Sequence, residues 1–174
     1  TPNIAYGKKS MLVYDDPLLH WADLERDYYY SRIVDGYTSK CSGFISRMHE
    51  NPAWILDLSR LRDIETIVLH EGCPKTAAIE GALNWLNDLE MCSDKEVQNS
   101  SVNVRPLNIA LSNDGTKWTS VTSLVSPINN NGPTRIVFDG PQAARYIRIK
   151  ATGASKLLFD EVEVYGPSDA EERR

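Results

Sequence analysis

The residues of this sequence that could carry out catalysis do not form a recognisable catalytic pattern. There is no G-x-S-x-G nucleophile turn, no H-E-x-x-H zinc motif and no glycine-rich phosphate loop. The three histidines are far apart along the chain. Two acidic stretches, Asp15-Asp16 and residues 23–27 (DLERD), have the charge of a paired-carboxylate site but are better explained as solvated surface. The sequence therefore predicts a protein that is not an enzyme.

The three cysteines, Cys41, Cys73 and Cys92, allow one internal disulfide at most. Cys73 and Cys92 bracket one segment and are the natural pair in an oxidising compartment, whereas three reduced thiols are the alternative. No C-x-x-C pair and no Cys/His cluster with zinc spacing occurs. We therefore expect a hydrophobic core, and not a disulfide framework, to hold the fold together.

The composition is that of one globular domain. The chain has 174 residues, of which 41% are hydrophobic and 25% charged, with a net charge of −5. This charge argues against a nucleic-acid binder and against adhesion to anionic membranes. No apolar run approaches the roughly 20 residues that span a bilayer. Because the chain begins at Thr1 without a signal peptide, we expect a mature form or part of a larger protein, with a secreted or cell-surface location favoured.

The second half of the chain alternates between apolar and polar residues in short runs separated by turns. The runs that predict strands are residues 106–112, 117–124, 134–138, 144–151 and 158–165. Between the first two, Asp114-Gly115 predicts a tight hairpin turn, because glycine readily adopts a positive φ. Several short runs with a period of two residues indicate an antiparallel β-sandwich.

The first half is less regular. Residues 54–58 (WILDL) and 64–70 (IETIVLH) predict strands, and residues 11–14 predict a shorter one. Residues 28–34 are aromatic and β-branched and end at Asp35-Gly36. We expect Trp54 and Trp118 in the core and Asp57 as a buried or edge carboxylate that accepts backbone hydrogen bonds. The domain is predicted to span residues 1–166, with residues 167–174 as a linker or tail.

One segment departs from the β pattern. Residues 76–91 place Ile79, Leu83 and Leu86 at helical spacing, which predicts an amphipathic helix interrupted by Gly81. This helix would be inserted in a long loop between the strands that end near residue 70 and begin near residue 106. Long loops in compact domains are often functional, and the alternative is a lid over an open end of the sandwich.

Seven motifs in order point to a known family. They are NIAYGK (3–8), IVDG (33–36), GF (43–44), ENPAWILDL (50–58), PLNIALSNDGTKWTSV (106–121), ARYIRIKA (144–151) and DEVEVYG (160–166). Together they resemble the discoidin, or coagulation-factor C-type (F5/8 type C), domain family. The resemblance implies a galactose-binding-like jelly roll of about eight strands, shared with carbohydrate-binding modules, lectins and cell-adhesion domains.

The resemblance also implies a structural Ca²⁺ near the chain ends. The matching carboxylates are Asp35 and Glu161, and the backbone carbonyls of Tyr37 and Lys40 would complete the shell. Calcium takes six to eight oxygen ligands, so two carboxylates with carbonyls are chemically suitable. The alternatives are a sodium ion, or a site without metal in which Asp35 and Glu161 form salt bridges or cap backbone amides.

Sugar recognition in the resembled lectins uses loops at one end of the sandwich. The matching candidates for ligand binding here are Arg47, His49, Asn103 and Arg105. Many relatives carry Phe-His-Thr where this chain has Phe44-Ile45-Ser46, which argues against galactose-type recognition. The resemblance therefore implies a non-catalytic module that binds a glycan or glycoprotein.

Two other functions remain open for the same fold. A protein-interaction module would use the same loops or the inserted helix to bind its partner. A membrane-binding module would display apolar and basic loop residues, of which Ile45, Met48 and Arg47 are a faint example. The net charge of −5 and the lack of a Lys/Arg cluster argue against the membrane-binding function.

Overall fold

The fold is built almost entirely from antiparallel strands. The computed structural model describes residues 2–13, 31–36, 44–45, 49–71, 106–125, 133–155 and 157–167. The strands in these ranges are β1 (Lys9–Val13), β2 (Phe44–Ile45), β3 (His49–Glu50), β4 (Ala53–Glu71), β5 (Leu107–Ser112), β6 (Thr119–Leu124), β7 (Thr134–Ala151), β8 (Ala154–Ser155) and β9 (Leu158–Tyr165). Within the same ranges, no helix is both long enough and apolar enough to cross a membrane.

Two long strands form the frame of the sandwich. β4 has 19 residues and β7 has 18, and they pair with each other along most of their length. The sequence predicted each as two separate strands, and that prediction was wrong. The polar stretch after Asp57 makes a bend within β4, where the register with β7 shifts and Ser59 has a φ of 76°. Asp57 stabilises this bend by accepting a hydrogen bond from the Ser59 amide at 2.8 Å, as predicted.

The bend in β4, with the two register shifts against β7, divides the hydrogen-bonded sheet into two layers. In the first layer, the beginning of β4 pairs with β1, and the end of β7 pairs with β5, which pairs in turn with β6. In the second layer, the end of β4 pairs with β9 and with the beginning of β7, and β9 also pairs with β2. Every pairing is antiparallel, so the predicted all-β antiparallel sandwich is confirmed.

The core lies between these two layers. Trp54 in the first layer and Phe159 in the second are fully buried, with ring centroids 6.2 Å apart. Aliphatic side chains that alternate along the strands fill the space around these rings and supply the hydrophobic stabilisation. The prediction for Trp54 is confirmed, whereas the prediction for Trp118 is wrong. Trp118 is only half-buried, and its ring packs against the guanidinium of Arg148.

Two segments that precede β2 pack against β9 and contribute side chains to the hydrophobic core. Ser31–Val34 forms one turn of 3₁₀ helix against β9, and it is followed by Asp35-Gly36. The N-terminal segment also packs on β9, since the Asn3 side chain accepts a hydrogen bond from the Val164 amide at 3.0 Å. Glu161 is completely buried beside these segments, although it alternates along β9 with the core residues Val162 and Val164.

Several predictions concern other parts of the chain. The inserted helix over residues 76–91, the three cysteines and most of the tail lie outside the described residues, and they stay predictions. The limits of the domain likewise stay a prediction.

Candidate functional site

The two strands that follow the predicted ligand loops, β4 and β5, begin on either side of the last residues of β7, at one end of the sandwich. Leu107, the first residue of β5, is paired with Ala151, the last residue of β7. The Ala151 amide donates to the carbonyl of Pro52, directly before β4, at 3.0 Å. Pro52, directly before β4, and Leu107, the first residue of β5, therefore lie at the same end of the sheet, which we call the loop end.

A small ladder forms one rim of the loop end. β3 pairs with β8, which places His49 opposite Ser155 and Glu50 opposite Ala154. Asn51 locks the rim, because its side chain accepts a hydrogen bond from the Gly153 amide at 2.6 Å and its own amide donates to the Gly153 carbonyl at 2.9 Å. Asn51 has a φ of 48°, a conformation that asparagine tolerates better than most residues. The rim is therefore held by backbone pairing and is suited to keep a binding loop in place.

The predicted ligand residues are only partly covered by the described chain. The backbone of His49 lies in β3, at the loop end, and its part in ligand binding stays a prediction. Arg47, Asn103 and Arg105 lie outside the described residues, so their part in a site stays a prediction. Sequence reasoning missed Asn51 and Gly153, although Asn-Pro and Thr-Gly pairs are signals of tight turns.

The two predicted metal carboxylates do come together. Glu161 Oε2 accepts a hydrogen bond from the Gly36 amide at 2.9 Å, and this contact brings the Asp35-Gly36 turn onto β9. Glu161 Oε1 is buried and has no hydrogen-bond partner among the described residues. A buried carboxylate oxygen without a partner is costly, and a cation is one of the groups that could satisfy it.

The electrostatics of this pair disfavour two free negative charges. Burial is the largest influence, and together with the charge and hydrogen bonding of Asp35 it raises the pKa of Glu161 to about 9, against the opposing effect of the Gly36 amide. A hard cation would reverse this preference by stabilising the ionised form. Among the described residues, no group of three or more acidic, histidine or cysteine side chains converges, so carbonyl oxygens would have to complete a metal shell. Tyr37 and Lys40, the predicted carbonyl donors, lie outside the described residues.

A second polar group lies beside Glu161 on the same face of β9. Glu163 accepts hydrogen bonds from Tyr165 at 2.6 Å and pairs with His70 Nε2 at 2.5 Å. Burial raises the pKa of Glu163, but the hydrogen bonds from Tyr165 and His70 outweigh it and lower the pKa overall. The bond to Glu163 also raises the pKa of Tyr165 to about 12. Glu163 therefore already has partners of its own, in contrast to Glu161 Oε1.

The comparisons with known proteins concern the family and the fold of this chain. Residues 92–162 match the family model described as the F5/8 type C domain. Among curated proteins, no sequence matches this chain.

Solved structures share the fold at low sequence identity. The lectin domain of lectinolysin, solved in complex with Lewis B antigen, is 18% identical with a TM-score of 0.65, and the match covers 97% of this chain and 99% of that chain. A fucose-binding module of Streptococcus pneumoniae is 16% identical with a TM-score of 0.61, covering 97% and 100%. A chitosan-binding module from a chitosanase/glucanase of Paenibacillus sp. IK-5 is 17% identical with a TM-score of 0.56, covering 95% and 100%. The family match and the shared fold together confirm that this chain resembles the F5/8 type C, or discoidin, domains.

Proposed function

We propose that this domain is a non-catalytic carbohydrate-binding module that recognises glycan hydroxyls through loops at the loop end. The observation that carries the proposal is that β4 and β5 begin at the same end of the sheet, on either side of the last residues of β7. This common end supports a site formed jointly by the two predicted ligand loops. The similar structures include a lectin domain, a fucose-binding module and a chitosan-binding module, which supports a sugar or glycoprotein as the ligand.

The proposed ligand residues suit hydroxyl recognition. Arg47 and Arg105 would donate paired hydrogen bonds to neighbouring hydroxyl oxygens, because the guanidinium holds its donors in a planar fork. His49 and Asn103 would add a donor or an acceptor each. The role of the described rim is to hold the backbone of His49 next to β8, so that less conformational freedom is lost on binding.

A glycan array tests this proposal directly. The wild-type domain is expected to bind a subset of glycans. The double variant Arg47→Ala/Arg105→Ala is expected to bind the same glycans with an affinity at least about tenfold lower. The double variant Arg60→Ala/Lys117→Ala removes the same charge outside the loop end and serves as the control.

Two outcomes would overturn the proposal: no glycan bound at high concentration, or equal binding by the two double variants. If no glycan binds and deletion of residues 76–91 abolishes capture of a protein partner, the alternative of a protein-interaction module would replace it.

We further propose a structural Ca²⁺ ligated by Asp35 and Glu161, with the carbonyls of Tyr37 and Lys40. The support is the buried Glu161 Oε1, which has no partner among the described residues, next to a second carboxyl at Asp35. A bound Ca²⁺ would supply the positive charge that lets both carboxyls ionise. Its role would be structural, since it would tie residues 35–40 to β9.

A further inference from the structure

The outer face of the first layer carries a row of side chains that the proposed loop-end site does not use. The register places Met11, Ile55, Arg148 and Ala110 opposite one another on β1, β4, β7 and β5. Residues in one cross-strand row point to the same face, and the buried neighbours Trp54 and Ile149 point to the other. Arg148 therefore points away from the core and is half-buried, in a row that runs from the exposed Met11 to the buried Ala110.

Arg148 is held in one place by an aromatic ring. Its guanidinium carbon lies 4.7 Å from the centroid of Trp118, a distance typical of cation–π stacking. Trp118 follows the hairpin turn in which Asp114 Oδ1 accepts the amides of Thr116 and Lys117, both at 2.9 Å. The turn thus fixes the indole, and the indole orients the guanidinium.

Arg148 has no counter-charge in the part of the chain that the structure describes. Its Nε is buried without a hydrogen-bond partner, and burial lowers the pKa of the guanidinium. Its row neighbours, Ile55 and Ala110, are uncharged. Asp57, the carboxylate on the next row, is already engaged by Arg145 through two hydrogen bonds of 2.9 and 3.1 Å.

A second cation extends this surface. Lys150 lies two residues beyond Arg148 on β7, so the two side chains share a face about 7 Å apart at the backbone. The row neighbours of Lys150 are Ala53 and Asn108, which carry no charge. Arg148 and Lys150 therefore form a positive patch without a carboxylate partner among the described residues, in a chain whose net charge is −5.

We propose that Arg148 and Lys150, backed by Trp118, form a second binding site that takes an acidic glycan, one that carries sulfate or carboxylate groups. This inference rests on the proposed carbohydrate-binding function and adds a ligand class and a second surface. A stacked guanidinium is preorganised to donate paired hydrogen bonds from its Nη atoms to a sulfate or carboxylate. Lys150 would contact a second anionic group of the same chain, which favours polymers over single sugars.

The test compares three polysaccharides with the intact domain. Dextran sulfate and neutral dextran differ only in their sulfate groups, and polygalacturonate presents carboxylates. In affinity electrophoresis, dextran sulfate or polygalacturonate in the gel is expected to slow the migration of the domain, and neutral dextran is not. This retardation is expected to be weaker at high salt than at low salt. The retained polymer identifies which anion the site prefers.

Matched variants separate a specific site from general charge. Arg148→Ala is expected to weaken binding about tenfold or more, and Arg148→Lys is expected to fall between it and the wild type. Arg60→Ala makes the same change of charge in the β4 bend, five residues beyond Ile55, and is expected to change binding less than about twofold. Arg148→Gln keeps much of the side-chain volume and replaces Arg148→Ala if the latter does not fold.

The proposal is overturned if both acidic polymers behave like neutral dextran, or if Arg60→Ala weakens binding as much as the Arg148 variants. The glycan array separates this outcome from failure of the loop-end proposal. Suppose that the domain binds neutral glycans, that Arg47→Ala/Arg105→Ala loses this binding, and that no acidic polymer binds. This result would overturn only the second site.

Discussion

Asp57 and Arg145 form a two-point ion pair between β4 and β7 at the edge of the β4 bend. Arg145 Nε donates to Asp57 Oδ1 at 2.9 Å, and Nη2 donates to Oδ2 at 3.1 Å. The same Oδ1 also accepts the Ser59 amide at 2.8 Å. One carboxylate thus both closes the bend and neutralises one arginine of the outer face, which leaves the nearby Arg148 as a guanidinium without a partner among the described residues.

This arrangement predicts an unequal effect of removing the two partners. Asp57→Ala loses the pair and the Ser59 bond, so it is expected to lower the melting temperature by about 2–4 °C. Arg145→Ala leaves the Ser59 bond in place and is expected to cost less. Asp57→Asn keeps an acceptor for Ser59 and serves as the control. Thermal melts of the three variants would contradict the prediction if Arg145→Ala were as costly as Asp57→Ala.

Stability is expected to fall in acid because of Asp57 and Asp114. The hydrogen bonds from Arg145 lower the pKa of Asp57 below its usual 3.8, and the amides of Lys117 and Thr116 lower the pKa of Asp114 to about 2. A lowered native pKa stabilises the fold above the unfolded value, and this contribution is lost as the pH falls from about 4 toward about 2. Glu161 contributes little pH dependence of stability there, because its native pKa is raised and the unfolded glutamate, with a pKa of 4.5, is also mostly protonated below pH 4.

Urea midpoints measured across that pH range check this prediction. The double variant Asp57→Ala/Asp114→Ala is expected to be less stable than the wild type at neutral pH and to lose less stability in acid. An acid-induced loss equal to that of the wild type would show that other carboxylates are responsible.

The calcium proposal predicts stabilisation that depends on Glu161. A ligand at a hundred times its Kd stabilises the native state by roughly 2.7 kcal/mol, so saturating Ca²⁺ is expected to raise the melting temperature by about 5–10 °C and a chelator to remove the gain. Glu161→Gln keeps the volume of the side chain but removes the charge, and it is expected to abolish the response. Mg²⁺ should act more weakly, since it gives up its water reluctantly.

Glu163→Gln is the matched control for this experiment. Glu163 lies two residues along β9 and is occupied by His70 and Tyr165, so its variant is expected to keep the response to Ca²⁺. A wild-type melting temperature that changes neither with Ca²⁺ nor with chelator would contradict the proposal. An equal Ca²⁺-induced rise of the melting temperature in the wild type and in Glu161→Gln would also contradict it.

Gly166 is expected to tolerate no side chain. A Cβ at this position would lie 2.0 Å from the carbonyl oxygen of Asp63, and a backbone atom cannot move aside cheaply. Gly166→Ala is therefore expected to lower the free energy of unfolding by about 3 kcal/mol or more. Gly7→Ala is the control, because a Cβ there meets no atom within 4 Å and costs only the strain of its φ of 69°, about 1–2 kcal/mol.

Urea unfolding of the two glycine variants measures both costs. If Gly166→Ala proved as mild as Gly7→Ala, the close approach of Gly166 to Asp63 in β4 would be wrong.

The local pattern of the sequence was enough to predict the fold class. Alternation of apolar and polar residues along β5 and β9 predicts which side of each strand is buried. The Asp114-Gly115 pair predicts a turn, and Gly115 has the positive φ, 81°, that such a turn needs. These signals involve neighbours in sequence, so they need no knowledge of distant contacts. The resemblance then placed Asp35 and Glu161 in one site, and the structure brings the Asp35-Gly36 turn and Glu161 together.

Other features depend on contacts between residues far apart in sequence, and only the tertiary structure reveals them. Polar residues after Asp57 indicate a turn, yet pairing with β7 carries the strand through it as a bend. Alternation places Glu161 on the face of β9 opposite Val162 and Val164, and the packing of the 31–36 segment against β9 leaves it buried. Arg148 alternates like any surface residue, and its lack of a partner follows from which side chains the register places around it. Periodicity thus determined the faces of the strands, whereas burial and charge pairing were decided by what the fold brings against each face.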